Sequence, residues 1–218
     1  MKAVAIWLAT TLGVALLAHL GSTWYVPRYI MGRAVDTLVA TGSANILQEW
    51  PLANADSRSI VRPSPDLLYS VCVVDVRAGP VRIRAPASAP YTSVSVFAAN
   101  SDNIFVMNDQ ALAPGADFDI WVGKPQQNVP VSAPSAILRS ERGIVVIRRV
   151  VTDAEQAKTV DALRREARCE QRCELRLQSE ATATLASMRV RPSQRLHAAE
   201  YFSRSTLVWL DICVRPGR

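Results

Sequence analysis

From Ala3 to Pro27 no side chain carries a charge, and between Ala3 and Leu20 the run is apolar apart from Thr10, Thr11, Gly13 and His19. Such a stretch has no polar face to turn toward water, so it does not read as the surface helix of a globular domain. Its length matches the roughly 20 apolar residues that cross a hydrocarbon layer of about 30 Å. Trp7 lies near one end and Trp24-Tyr25 at the other. At 1.5 Å per residue they stand about 25 Å apart, where two interfacial aromatic belts belong. Lys2 gives the segment a short basic start, as in a signal peptide, but Leu17 to Ser22 offer no small-x-small cleavage pattern,. The segment is therefore expected to stay as a single-pass membrane anchor over residues 1–27. Lys2 on one flank and Arg28 and Arg33 on the other leave the positive-inside rule close to a tie,. A short N-terminal tail before a large C-terminal body suits a periplasmic or otherwise extracytoplasmic placement.

Charge and histidine content narrow the function classes. The 218 residues carry a net charge of +6 and only two histidines, His19 and His197. Histidine-rich metal centres and nearly all Ser-His-Asp or Cys-His sites are thereby excluded. Residues 1–160 hold a net +2 and residues 161–218 a net +4, so the basic excess is mostly C-terminal. There the arginines alternate with Glu166, Glu170 and Glu174 and do not form a basic stripe, which argues against nucleic acid as a partner,. The four cysteines, Cys72, Cys169, Cys173 and Cys213, are too sparse for a disulfide scaffold,. Cys169 and Cys173, four apart, would suit a metal or a strained disulfide on a helix, but unpaired thiols are the expected state.

Beyond the anchor, Pro27 is placed to start a membrane-proximal helix that Thr41-Gly42-Ser43 stops, with a linker completing residues 28–50,. The pattern then changes to seven short apolar runs separated by Pro, Gly, Asn and Asp: 69–76, 81–84, 91–97, 104–107, 118–122, 136–138 and 144–150. Val81-Arg82-Ile83-Arg84 and Ser93-Val94-Ser95-Val96 alternate, so each should bury one face. Strands this short, without helical crossovers between them, predict a mainly β body, an antiparallel sandwich or jelly roll, over residues 51–165. Gly79-Pro80 and Asn100 to Asn103 read as turns between antiparallel strands. A Thr152…Glu155 capping box opens a helix through Ala167,. Arg164, Arg168, Arg172 and Arg176 would then form one column on it, with Glu166, Glu170 and Glu174 in another. Residues 166–218 form a C-terminal extension, partly helical or poorly ordered, in which 207–214 is an apolar run without a clear place.

Several pieces of the body occur together in a fixed order. They are Ser64-Pro65-Asp66-Leu67-Leu68-Tyr69-Ser70, then Asp75, Gly79-Pro80-Val81 and Ala85-Pro86. After them come Tyr91 to Phe97, Asn100-Ser101-Asp102-Asn103-Ile104-Phe105-Val106, and Gly143 to Arg149 with its two closing arginines. In this order they resemble a bacterial family known as domain of unknown function 1254, in its membrane-anchored short form, over about residues 45–165. The resemblance implies a β-sandwich-like domain and a possible companion protein carrying domain of unknown function 1214. It makes Ser64, Asp66, Tyr69, Asp75, Asn100, Asp102 and Asn103 the candidate ligand-binding residues, although turn chemistry accounts for most of them equally well. Asp66, for one, is placed to accept hydrogen bonds from nearby amides.

Without a histidine in the β body, any activity must rest on carboxylates, amides and surface shape. A tethered, non-catalytic binding or assembly module of the cell envelope fits these constraints, since the tether raises the local concentration of an envelope partner. The alternative is a hydrolase of sugars or esters using two carboxylates from Asp66, Asp75, Asp102, Asp109, Asp117 and Asp119; Asp117-Phe118-Asp119 has the spacing that would put a pair on one strand face, a spacing that solvent-facing alternation also produces,. No cofactor motif is present, and Asn100, Asp102, Asn103, Asn108 and Asp109 are too scattered to make a calcium loop, so no metal site is assigned.

Overall fold

The computed structural model describes residues 2–54, 57 and 63–172. The apolar run and the membrane-proximal helix form one element, α1 (Lys2–Thr41), which continues through Pro27 without a break. The proline ring removes only the bond to the Thr23 carbonyl, a loss one helical turn can absorb. At the other end Thr41 and Gly42 stop the helix as expected. The Gly42 amide and the Gln48 Nε2 both donate to the Leu38 carbonyl, at 3.0 and 2.7 Å, satisfying the last turn,.

Nine strands follow in two sheets. In chain order they are β1 (Leu47–Glu49), β2 (Leu67–Asp75), β3 (Val81–Ala85), β4 (Thr92–Ala98), β5 (Asn103–Asn108), β6 (Phe118–Gly123), β7 (Ser135–Ile137), β8 (Arg142–Val150) and β9 (Arg168–Gln171). The first sheet has the order β1-β2-β8-β4-β5 and the second β7-β6-β3-β9; every pairing is antiparallel except β6 with β7. The seven apolar runs are β2 to β8. The expected sandwich is thus present, with two further strands, β1 and β9, at edges of the two sheets.

Its core forms where inward side chains of the two sheets meet. Cys72, Val74, Val94, Val96, Val145 and Ile147 come from the first sheet and Val81, Ile83, Ala85, Phe118, Ile120 and Val122 from the second, all essentially inaccessible to water. Each Val or Ile buried in this way contributes about 1.5–3 kcal/mol. A disulfide between Cys72 on β2 and Cys169 on β9 bridges the two sheets, with Cα atoms 6.6 Å apart. This corrects the expectation of unpaired thiols: Cys72 and Cys169 are 97 residues apart in sequence, and only the fold brings them together. Cys173 and Cys213 lie outside the described residues.

Three more expectations change. Gly79-Pro80 does not close a hairpin; it carries the chain from the first sheet to the second, with Gly79 at φ 152°, a conformation that glycine reaches freely,. The second helix, α2, spans Ala154–Arg164 and is capped by Asp153, whose carboxylate accepts from the amides of Glu155 and Gln156, so the cap lies one residue beyond Thr152. The columns expected on a longer helix are absent, because Arg168 and Glu170 belong to β9 and alternate there as on any strand, and the sandwich extends past residue 165. Arg176, Glu174 and the run 207–214 lie outside the described residues.

The part of α1 after the charge-free run crosses the outer face of the first sheet. Met31, Val35 and Leu38, spaced as one helical stripe, pack on Val71, Val73 and Ile144,. None of the apolar run before Pro27 is buried.

Candidate functional site

The seven candidate residues fall into three places. Ser64, Asp66 and Tyr69 stand at the entry to β2, Asp75 at its exit, and Asn100, Asp102 and Asn103 in the β4–β5 hairpin turn, where Ser101 takes a left-handed φ of 70°. Because β2 and β4 flank β8 and run in the same direction, the last two groups share one end of the first sheet.

At that end Asp75 is nearly buried and holds two arginines. Arg77 grips it through Nε and Nη2, with a shortest contact of 2.6 Å, and Arg142 Nε reaches it at 3.1 Å. Burial acts to raise the pKa of Asp75, but the bonds from Arg77 and Arg142 outweigh it and hold the carboxyl below its usual range,. Asn45, missed in the sequence, clamps the same corner from the loop after α1. Its side-chain oxygen accepts from the Asp75 amide at 2.8 Å, and its Nδ2 donates to the Asp75 carbonyl and to Gln171 on β9, each at 3.1 Å. Gly143 beside them is required, since a Cβ there would lie 2.7 Å from the Phe97 carbonyl.

Arg142 also lines a cleft of about 800 Å³ between α1 and this end of the sandwich. Asn100 and Asp102 face it, bonded to each other through the amide and carboxylate. Arg28 and Asp36 line it from α1 and Arg139 from the loop after β7, so three arginines and two aspartates share its lining. Ser101 Oγ donates to the Pro27 carbonyl at 3.0 Å and so fixes the turn against α1 at the end of the charge-free run. Four of these groups, Arg28, Asp36, Arg139 and Arg142, are scattered over more than a hundred residues with no local pattern to mark them.

The remaining candidates stand apart. The Ser64 amide donates to the Tyr69 hydroxyl at 3.2 Å, and Ser64 Oγ accepts from the Asp66 amide at 3.4 Å. The Asp66 side chain is exposed, and among the described residues no amide donates to it, contrary to expectation. Asn103 turns its side-chain amide back onto its own hairpin, against the carbonyls of Phe105 and Val96.

A further polar group lies inside. Arg149 is 0% exposed, and of its guanidinium only Nη2 finds a partner, the Pro86 carbonyl at 3.2 Å. Nε and Nη1, together with the Ser70 hydroxyl, are buried without a partner among the described residues. Burial, assisted by the nearby Arg164 and opposed by Glu49, lowers the Arg149 pKa to about 10. Arg164 on α2, equally buried, is by contrast fully engaged, with bonds to Asp161 and to the carbonyls of Trp50 and Tyr69.

The architecture has a solved counterpart. The VPA0106 protein of Vibrio parahaemolyticus superposes with a TM-score of 0.51 at 16% identity, covering 70% of this chain and 38% of the other. An uncharacterised protein of Burkholderia cenocepacia gives a TM-score of 0.44 at 15% identity, covering 73% and 44%. The chain thus spans less than half the length of either, and the first likeness speaks to fold alone. No curated protein matches the sequence. The model of the family described as "Protein of unknown function (DUF1254)" matches residues 44–171, from the loop before β1 to the last residue of β9, and this sandwich, with the clamp and cleft at its end, belongs to that family.

Proposed function

We propose that the protein is a membrane-tethered, non-catalytic binding module of the bacterial cell envelope, with its β domain outside the cytoplasm. The observation that carries this reading is the position of the charged cleft. It lies between the sandwich and α1, directly after a 25-residue charge-free run that is long and apolar enough to cross a bilayer and that, before Pro27, is nowhere buried on the body,. The buried Cys72–Cys169 disulfide supports the placement, since such bonds persist in oxidising compartments,. As occupant of the cleft we propose the companion protein with domain of unknown function 1214, whose surface would present carboxylates to Arg139 and Arg28.

The hydrolase alternative draws little from the geometry. A general acid needs a raised pKa, whereas two of the candidate carboxylates, Asp75 and Asp119, are shifted downward by their arginine partners. Asp119 is held in a two-bond pair by Arg82, at 2.7 and 2.5 Å.

The test is co-purification of the full-length chain with the companion protein from native membranes. Arg139→Glu should reduce recovery by about tenfold, the effect of losing one charge-assisted contact and adding a repulsion. Arg84→Glu, on the opposite sheet, should leave recovery unchanged. Equal recovery with Arg139→Glu defeats the cleft reading. A C-terminal reporter active only in the cytoplasm would overturn the placement.

A further inference from the structure

On the other side of α1 lies a second groove of about 380 Å³ with a different character. Its walls are apolar, with Ile30 and Ala34 from the helix and Val71, Val146 and Phe97 from the first sheet. One end is charged. Tyr69 and Arg148 are directly opposed on β2 and β8, on the outer face of the sheet, so their side chains are neighbours,. Arg148 donates from Nη1 to Ser95 Oγ at 3.0 Å and lies 5.9 Å over the Phe97 ring, and among the described residues it meets no carboxylate. The Tyr69 hydroxyl accepts from the Ser64 amide, which leaves its own proton free to donate,. The opposite end of the groove is bounded by Ile30 and by Ser101, which is bonded to Pro27 where the charge-free run stops.

We propose that this groove binds a long-chain carboxylate, with its head group on Arg148 and Tyr69 and its hydrocarbon chain lying along α1 toward Ile30. A guanidinium flanked by a phenol supplies the directed donors a carboxylate needs. An apolar channel closed by one cationic end selects an anionic amphiphile over a neutral or cationic one. The inference rests on the membrane-tethered reading for the source of the ligand, because the apolar end of the groove opens where α1 would leave the bilayer.

The test uses the full-length chain in phosphatidylcholine vesicles with a diazirine-bearing palmitate, irradiated and mapped by peptide mass spectrometry. Adducts are expected on 29–34 or 69–71. Arg148→Gln should lower them about tenfold and Tyr69→Phe about threefold, the usual scale for losing a charged and a neutral hydrogen bond. The methyl ester of the probe should label wild type as weakly as the acid labels Arg148→Gln. Val146→Trp, which fills the groove and keeps the arginine, should also abolish labelling. Undiminished labelling of Arg148→Gln, or adducts confined to 3–26, overturns the proposal. So does labelling that emerges only when residues 207–214 are deleted, because the groove then belongs to the chain's own apolar segment. Flotation of the same vesicles separates the two readings. A chain that floats without Arg148-dependent labelling loses the ligand alone, and one that labels but does not float loses the tether alone.

Discussion

The two sheets share one core, but their outer faces differ. The first sheet turns Val71, Val73 and Ile144 outward, and α1 covers them. The second turns out Arg82, Arg84, Asp119 and Glu170, and leaves them to water, with Trp121 among them. There Arg82 pairs with Asp119 and Arg84 with Glu170 across neighbouring strands. Trp121 is only 6% exposed, because the guanidiniums of Arg82 and Arg172 lie 5.5 and 5.3 Å from its ring,. A strand that alternates, such as Val81-Arg82-Ile83-Arg84, needs cover on one side. A strand that is apolar without interruption, such as Val71 to Val74, needs it on both. The part of α1 after Pro27 is thus a structural part of the β domain, while the charge-free run before it is a candidate anchor.

This contrast can be broken in graded steps. Cutting the tie between the sheets should cost most. Cys72→Ala with Cys169→Ala frees a loop of 97 residues, and the denaturant midpoint should fall by an amount worth about 4–5 kcal/mol. Uncovering the first sheet comes next. Leu38→Ala removes a side chain of α1 that is 3% exposed against the first sheet and should cost about 3 kcal/mol by chemical denaturation. The third change should go the other way: Arg149→Met removes a buried, half-partnered cation, and the melting temperature should rise by the equivalent of about 2 kcal/mol. A fall of that size would mean that Arg149 has a partner it needs. Asp75→Asn should cost about 1 kcal/mol at neutral pH. The Asp75 carboxyl has a lowered folded pKa, so its contribution is present above the ordinary value of 3.8 and is lost as pH falls through the folded value,. The gap between wild type and variant, followed as melting temperature against pH, should therefore close in acid. The smallest effect belongs to the open face. Arg84→Ala breaks an exposed pair at 3.5 Å and should change stability by less than about 0.5 kcal/mol.

Where an element is set by its own residues, the sequence shows it. All seven strand runs are legible from apolar patterning, as is the stop at Thr41-Gly42. What depends on distant partners is not. β9 carries one apolar residue in Arg168-Cys169-Glu170-Gln171 and is a strand because β3 offers it an edge and Cys72 a sulfur. β1 is three residues long and exists as an edge to β2. The candidate site was half visible: Asn100, Asp102 and Asp75 stand out as turn and strand-end polar groups, but Arg142 and Asn45, which hold Asp75, and Arg139, which lines the cleft, have no local signature. Arg149 was legible only as one of two arginines closing β8, because alternation does not say which of a pair faces inward.

The passage of α1 through Pro27 has one mechanical result. Forty residues at 1.5 Å each make a shaft about 60 Å long,, bolted to the sandwich by Met31, Val35 and Leu38 and by the hydrogen bond from Ser101. No slack segment separates the charge-free run from the domain, so the heading of the sandwich is set by the roll of the helix. Inserting or deleting one residue between Leu20 and Met31 would re-aim the whole β domain by about 100° about the helix axis. The cleft and the groove flank that shaft on either side, and whatever turns it would turn both together.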